Sequence, residues 1–434
     1  MKPFPLPWRS PIDACHALRD APFTLLIHGD GDSGRWSALF ACPREGEVFR
    51  GASDAFPRAR SWLADGAPPK GPGRRHPFHP GVAGVLGFDA GDPGSTALTG
   101  LGLYDLVLVF DHETRTVQLL EAPGADPARR SMLISLLYGP SPPPPVGPAG
   151  EITDVEPREA FGRKVEAVRV RIGEGEFYQA NISRRFEGAL GPGDHPFDLF
   201  RRLARSSPAA FASYAPLPGC AIVSNSPERL VRVRSDRAGR VARASPIKGT
   251  APRGATAAED DRNAAALLVS EKDRAENLMI VDLMRNDLSA ACRPGSVKTP
   301  VLFELKTLPN VHHLVSHVEG RLREDRTALD LLEGCFPAGS ITGAPKRRVM
   351  TAIREIEGAP RGADYGSIFW AGFNGELDAS VLIRTATCRE ASGGWSTSFR
   401  VGCGITSDSD PEAETLETEA KAGKLLQAIC GDQA

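Results

Sequence analysis

The chain has 434 residues, 41% of them apolar and 24% charged, with a formal net charge of -2. That balance is ordinary for a globular protein and leaves no basic footprint for nucleic acid. No run approaches about 18 apolar residues, so no membrane span is expected.

The N-terminal MKPFPLPWRSP carries no apolar signal-peptide core, and the eight cysteines are scattered without a C-x-x-C pair. This argues against a disulfide framework or a zinc site, and it fits a reducing, cytoplasmic setting. Any metal is expected on oxygen ligands. Residues 1–140 hold β-like runs such as YDLVLVFDH but no strong chemical motif. Four consecutive prolines in GPSPPPPVGPAGE suggest a stiff linker at 141–150. An N-terminal subdomain (1–140) and a catalytic domain (151–430) are expected on its two sides.

Beyond that segment the patterning sharpens. Phe161, Val165, Val168 and Val170 predict a helix ending near Gly173. YQANISRRFEG reads as a strand, and CAIVSNSPERLVRVRS as two strands around a polar turn. The frame ASPIKGTAPRG reads as a turn carrying Lys248. SEKDRAENLMIVDLMRNDL is a long helix with Ser270 as N-cap. A glycine-rich FPAGSITGAP feeds a helix that stops at Gly358. GELDASVLIRTATCRE reads as one strand. A strand, a glycine turn at VGCGI and a final helix follow, with Asp410 as N-cap and Pro411 at its first position. Strands and helices mix without a βαβ rhythm, so an α+β sandwich is expected.

Several groups carry chemical potential. Glu414, Glu417 and Lys421 share one face of the last helix, and Asp273 and Glu276 share one face of the long one. Paired carboxylates suit Mg²⁺, and they equally suit solvated faces with intrahelical salt bridges. Glu228 is a turn glutamate that is either a general base or simply exposed. His312 and His313 point to opposite faces of a strand, so at most one lines a given site. Arg384 interrupts an apolar strand and needs a carboxylate, from the protein or from a substrate. Gly402, Gly404 and the GSITGAP stretch (339–345) at a helix start offer bare backbone N–H groups to an anion or a ring.

Together SNSPERL, PIKGT, KDRAENLMIVDLMRNDL, HHLVS, FPAGSITGAPK, IRT, GCGI and ETLETEAK, in this order, resemble the chorismate-utilising enzymes. These include the large subunit of anthranilate synthase, aminodeoxychorismate synthase component I, isochorismate synthase and salicylate synthase. The resemblance covers 151–428 strongly and the first 140 residues weakly. It implies two β-sheets surrounded by helices, with sheets drawn from both halves of the chain. It implies Glu276 and Glu417 as Mg²⁺ ligands, supported through water by Asp273 and Glu414. Gly249, Thr250, Ser340, Arg384, Gly402, Gly404 and Lys421 would line the chorismate pocket. Glu228 would act as acid/base, and His313 would sit beside the leaving ring hydroxyl.

Two positions narrow the expectation. Gln179 stands where water-adding relatives carry a lysine base, and an amide takes no proton from water. Lys248 makes the frame PIKGT, as in the aminodeoxychorismate-forming branch, where anthranilate synthases read PIAGT. A lysine amine attacking ring C2 blocks that carbon, so ammonia adds at C4 instead. The resemblance thus implies a cytoplasmic aminodeoxychorismate-forming enzyme that takes ammonia from a separate glutamine amidotransferase subunit. Anthranilate formation, or chorismate binding without turnover, are the alternatives. Asp364 departs from the pattern, standing where the family often has a tyrosine, with Tyr365 one place later. The feedback-tryptophan motif of anthranilate synthases is not evident at TLLIHGD.

Overall fold

The computed structural model describes residues 4–29, 31, 34–49, 52–66, 76–89, 98–307 and 311–431. The end of the GVAGVLGFDAGD run, the last residue of TLLIHGD and the start of the LPNVHH run lie outside these. The chain is α+β and folds as two compact units. One comprises Met1–Pro227, Ile341–Asn374 and Ser380–Ala434. The other comprises Glu228–Ser340 and Gly375–Ala379.

The first unit is built on a 12-stranded sheet, antiparallel throughout. Strands from the start of the chain (Leu25–His28, Trp36–Phe40) lie in it beside strands from the middle (Phe211–Leu217, Cys220–Ser226) and the end (Thr385–Ala391, Gly394–Ile405). Successive side chains of a strand face opposite ways. Leu25, Ile27, Ala38 and Phe40 therefore pack towards Ala83, Val85, Ile368 and Trp370 of a second antiparallel layer. Leu26 and Leu39 pack the other way, in a core shared with Leu133, Phe197, Leu203 and Leu425 from helices. Both faces are covered, which is why these strands read as unbroken apolar runs.

The proline-rich segment falls inside this unit, whereas the chain passes between units at Pro227/Glu228, Ser340/Ile341, Asn374/Gly375 and Ala379/Ser380. Prolines present carbonyls but no N–H. Arginine donors use carbonyls of this segment: Arg9 bonds Pro140 O at 2.9 Å, Arg201 bonds Pro143 O at 2.7 Å, and Arg202 bonds Val146 O at 2.7 Å.

The second unit has an antiparallel sheet ordered Ile247–Pro252, Val311–Arg321, Gly239–Ala244, Arg229–Asp236, with Lys298–Thr307 also on Val311–Arg321. The helix Glu271–Ser289 packs on it through buried Ile280, Val281, Met284 and Leu288. Ser270 caps that helix, its hydroxyl accepting from Asp273 N at 3.2 Å.

Three local expectations change. The 375–390 strand is two strands, Leu377–Val381 and Thr385–Ala391, and Arg384 between them has φ 50°. The glycines of VGCGI lie within the strand Gly394–Ile405, not in a turn. Lys248 lies in the strand Ile247–Pro252, not in a turn.

Candidate functional site

In the second unit, the Lys248 strand pairs with Val311–Arg321, and its register shifts between Ile247 and Thr250. Such a bulge re-aims the side chain it carries. Lys248 Nζ lies 3.7 Å from a Glu276 carboxylate oxygen, with the two side chains 17% and 19% exposed. Gly249 follows at φ 88°, a conformation that favours glycine. A Cβ there would stand 3.0 Å from Asp273 Cβ and from Leu267 Cδ1, so the glycine lets the strand lie close against the helix.

Thr250 Oγ1 and His313 Nδ1 are 2.8 Å apart, linking two expected site residues across the register Thr250↔His313. His312 faces the other way, to Asp260 Oδ1 and Thr307 Oγ1, each at 2.9 Å. Glu228 is buried rather than exposed, and so is Ser340, whose Oγ has no partner among the described residues. Asn277, which the sequence reading passed over, is fully buried one residue after Glu276. It takes a 2.6 Å bond from Ser316 Oγ and gives a 3.1 Å bond to Leu314 O, fixing the helix on the sheet.

In the first unit, Gly402 and Gly404 pair with Ser183 and Asn181. Asn181 N–H goes to Thr342 O at 2.7 Å and Ser183 N–H to Glu357 Oε1 at 2.8 Å, so neither bonds its glycine partner. These are the non-hydrogen-bonded pairs of the ladder, and both glycines direct N–H and C=O to the opposite edge. The neighbouring strand on that edge stops pairing at Ala386↔Phe399. The break at Arg384 thus leaves the glycine edge open. Gly402 O uses it to accept from Lys421 Nζ at 2.9 Å.

Arg384 is partly buried, and no described residue pairs with its guanidinium. Burial alone pushes its pKa down. Of the two partners left open for it, a protein carboxylate is absent among the described residues, which leaves a partly desolvated cation.

Glu417 pairs with Lys421 at 2.6 Å, and buried Glu414 accepts from Ser409 Oγ at 2.8 Å. Donor atoms of Glu414, Glu417 and Cys403 lie within 4.8 Å of one another. The carboxylates suit a hard divalent cation, and the lysine ammonium on Glu417 marks where positive charge is favourable. In the other unit, Lys248 does the same for Glu276.

The sequence reading also missed a buried network in the first unit. Arg361 donates to both oxygens of Glu357, to Ile341 O and to Asn181 O at 2.7–3.0 Å. Arg400 Nη1 donates to Ser183 Oγ at 3.1 Å and lies 3.6 Å from Glu357. The i, i+4 spacing of Glu357 and Arg361 was a signal for it, as was the polar alternation Gln179, Asn181, Ser183.

The family pattern for chorismate binding enzymes matches residues 36–427. The chain belongs to this family. Among chorismate-binding enzymes, it is 35% identical to aminodeoxychorismate synthase component 1 of Klebsiella aerogenes, over 98% of each chain. It is 39% identical to the protein of the same name from Salmonella typhimurium, over 81% of this chain and 77% of that one. Its fold is similar to the crystal structure of anthranilate synthase component I from Streptococcus pneumoniae, with a TM-score of 0.77 and 27% identity. That likeness covers 90% of this chain and 92% of the other.

Proposed function

We propose that this chorismate-binding enzyme converts chorismate and ammonia into 4-amino-4-deoxychorismate, for p-aminobenzoate and folate synthesis. The supporting observation is Lys248, set on a strand bulge with a Glu276 carboxylate oxygen 3.7 Å away. The similarity to relatives named aminodeoxychorismate synthase component 1 supports the same reading. The words "component 1" in those names also support a partner, which we take to be a glutamine amidotransferase subunit that supplies ammonia.

The reaction divides into two displacements. The Lys248 amine bonds to C2 of chorismate, the two ring double bonds shift, and the C4–O bond breaks. The hydroxyl leaves as water with a proton from Glu228, while the lysine nitrogen gives its extra proton to Glu276. Ammonia then bonds to C4, the double bonds shift back, and the C2–N bond breaks. Lysine departs with the proton held by Glu276, and the new ammonium returns one to Glu228. Chorismate and ammonia have become aminodeoxychorismate and water. In the second unit Thr250 holds His313 for contact with the ring hydroxyl; in the first, Arg384 and the Gly402–Gly404 backbone suit a substrate carboxylate and ring. Glu414 and Glu417 in the first unit, and Asp273 and Glu276 in the second, are carboxylate pairs whose oxygens would suit Mg²⁺, which supplies positive charge for a substrate carboxylate when bound.

Incubation with chorismate, Mg²⁺ and ammonium chloride is expected to yield aminodeoxychorismate. Anthranilate fluorescence without an added lyase would replace this reading with anthranilate synthesis, and binding without turnover would mark a non-catalytic protein. Lys248→Ala is expected to abolish aminodeoxychorismate formation and to let some anthranilate appear. An unchanged product and rate in that variant removes the lysine from the mechanism.

A further inference from the structure

Asn277 is fully buried where the helix Glu271–Ser289 meets the sheet of the second unit. A carboxamide nitrogen carries two hydrogens and can serve two carbonyls at once. Here one carbonyl lies on each of the two strands that meet at the Lys248 bulge. Asn277 Nδ2 donates to Leu314 O at 3.1 Å and, over a longer 3.5 Å, to Lys248 O. Asn277 Oδ1 accepts from Ser316 Oγ at 2.6 Å. Carbonyls only accept, so the nitrogen must face them, and this fixes which way the amide points.

The bulge gives this bridge its purpose. Three steps from Ile247 to Thr250 face two from Val315 to His313, so the Lys248 strand carries one extra residue there. A bulge locally disrupts the ladder that otherwise fixes a strand's position. Side-chain bonds take over that work at Lys248. Ser316, itself fully buried, extends the bridge: its N–H donates to Pro246 O at 3.2 Å, and its hydroxyl accepts from Phe303 N at 3.1 Å. The lysine's strand is thereby held at Pro246 and at Lys248 itself.

Asn277 directly follows Glu276, whose carboxylate oxygen stands 3.7 Å from Lys248 Nζ. The residue that presents the carboxylate and the residue that grips the lysine's own carbonyl are thus neighbours on one rigid helix. A lysine amine sits on a flexible four-carbon stem, so it is placed only as well as its backbone is. We propose that Asn277 is a positioning residue for Lys248: its carboxamide, with Ser316, locks the bulge so that the amine meets Glu276 and reaches ring C2 ahead of ammonia. This rests on the amination reading above. Fully enclosed, Asn277 acts through the lysine and not on the substrate.

The test is product analysis of the full chain with chorismate, Mg²⁺ and ammonium chloride, with aminodeoxychorismate and anthranilate separated by chromatography. Asn277→Leu is expected to lower kcat for aminodeoxychorismate about 100-fold, the scale of a misplaced reacting group, with the chorismate KM within about 2-fold of wild type. The anthranilate share of the product is expected to rise, in the direction expected for Lys248→Ala. Ser316→Ala removes one bond of the bridge and keeps Asn277. It is expected to lower kcat about 5-fold and to raise the anthranilate share less, and it carries the test if Asn277→Leu does not fold. A merely structural asparagine would reduce both products together through a smaller folded fraction. An unchanged anthranilate share in the variants that fold therefore overturns the assignment. So does an unchanged kcat in folded Asn277→Leu, or a loss that appears in the chorismate KM instead of kcat. No amination by the wild-type chain overturns the functional reading and this role with it. Amination by wild type with unshifted kcat and product share in the variants overturns this role alone.

Discussion

Two arginines of the first unit stand in opposite settings. Arg361 is fully enclosed, yet every direction of its guanidinium is met by a carboxylate or a carbonyl, and its charge is held firmly. Burial alone would push its pKa down, but Glu357 turns the balance upward. Arg384 is desolvated with no such partner, and burial pushes its pKa down. A protein bears the cost of a partly desolvated, unpaired cation only where something else repays it, so the contrast separates an arginine that holds the fold from one that waits for a ligand. The backbone agrees. Arg384 sits at φ 50°, a strained region for a non-glycine residue, and strain of this kind gathers at functional sites.

Substitutions sharpen this contrast. The largest effect on stability is expected for Arg361→Leu, which leaves Glu357 a buried charge with only Arg400 to balance it. A loss of about 3–5 kcal/mol should appear in urea unfolding, and a loss below about 1 kcal/mol would break the comparison. Arg384→Ala should lower kcat/KM about 10²–10³-fold while leaving urea unfolding within about 0.5 kcal/mol of wild type. A large loss of stability there would place Arg384 with the structural arginines. Glu357→Gln keeps the shape but removes the charge shared by Arg361 and Arg400, and should cost about 1–3 kcal/mol.

The smallest effect concerns Asp364, beside Tyr365. Burial raises its carboxyl to about 8, against the pull of Arg400. The folded chain therefore keeps a proton that the unfolded chain releases near 3.8, and stability from this group falls as pH rises between those values. Asp364→Asn removes that dependence. Its melting temperature should match wild type near pH 4 and exceed it by about 1–2 °C near pH 8. A gap that shrinks with rising pH would contradict a raised carboxyl.

Local features were legible in the sequence. Ser270 and Asp410 cap their helices as read, Pro411 opens the last one, and Gly358 ends its helix at φ 65°. Caps depend on residues within one turn, so short patterns reveal them. Lys248 with Glu276, and Thr250 with His313, lie together within one unit, although no short pattern in the sequence paired them. What stayed hidden depends on partners far along the chain. The bulge at Lys248–Gly249 is a mismatch with a strand about 65 residues later, and the Arg384 break exists because one strand gives way to two. The Asn181–Tyr365 approach joins positions 184 residues apart, both packed against Gly402, a glycine that has no side chain to keep them off.

The pinned proline segment has a consequence for how the polypeptide is joined. Residues before it, such as Leu25–His28, lie in the same sheet as residues after it, such as Phe211–Leu217. Arg9 holds the segment from the early side and Arg201 and Arg202 from the late side. Peptide continuity at 141–150 is therefore not what keeps the two portions together. A chain nicked there would run as one particle in native gels, and the two pieces, expressed separately, form a natural split-protein pair.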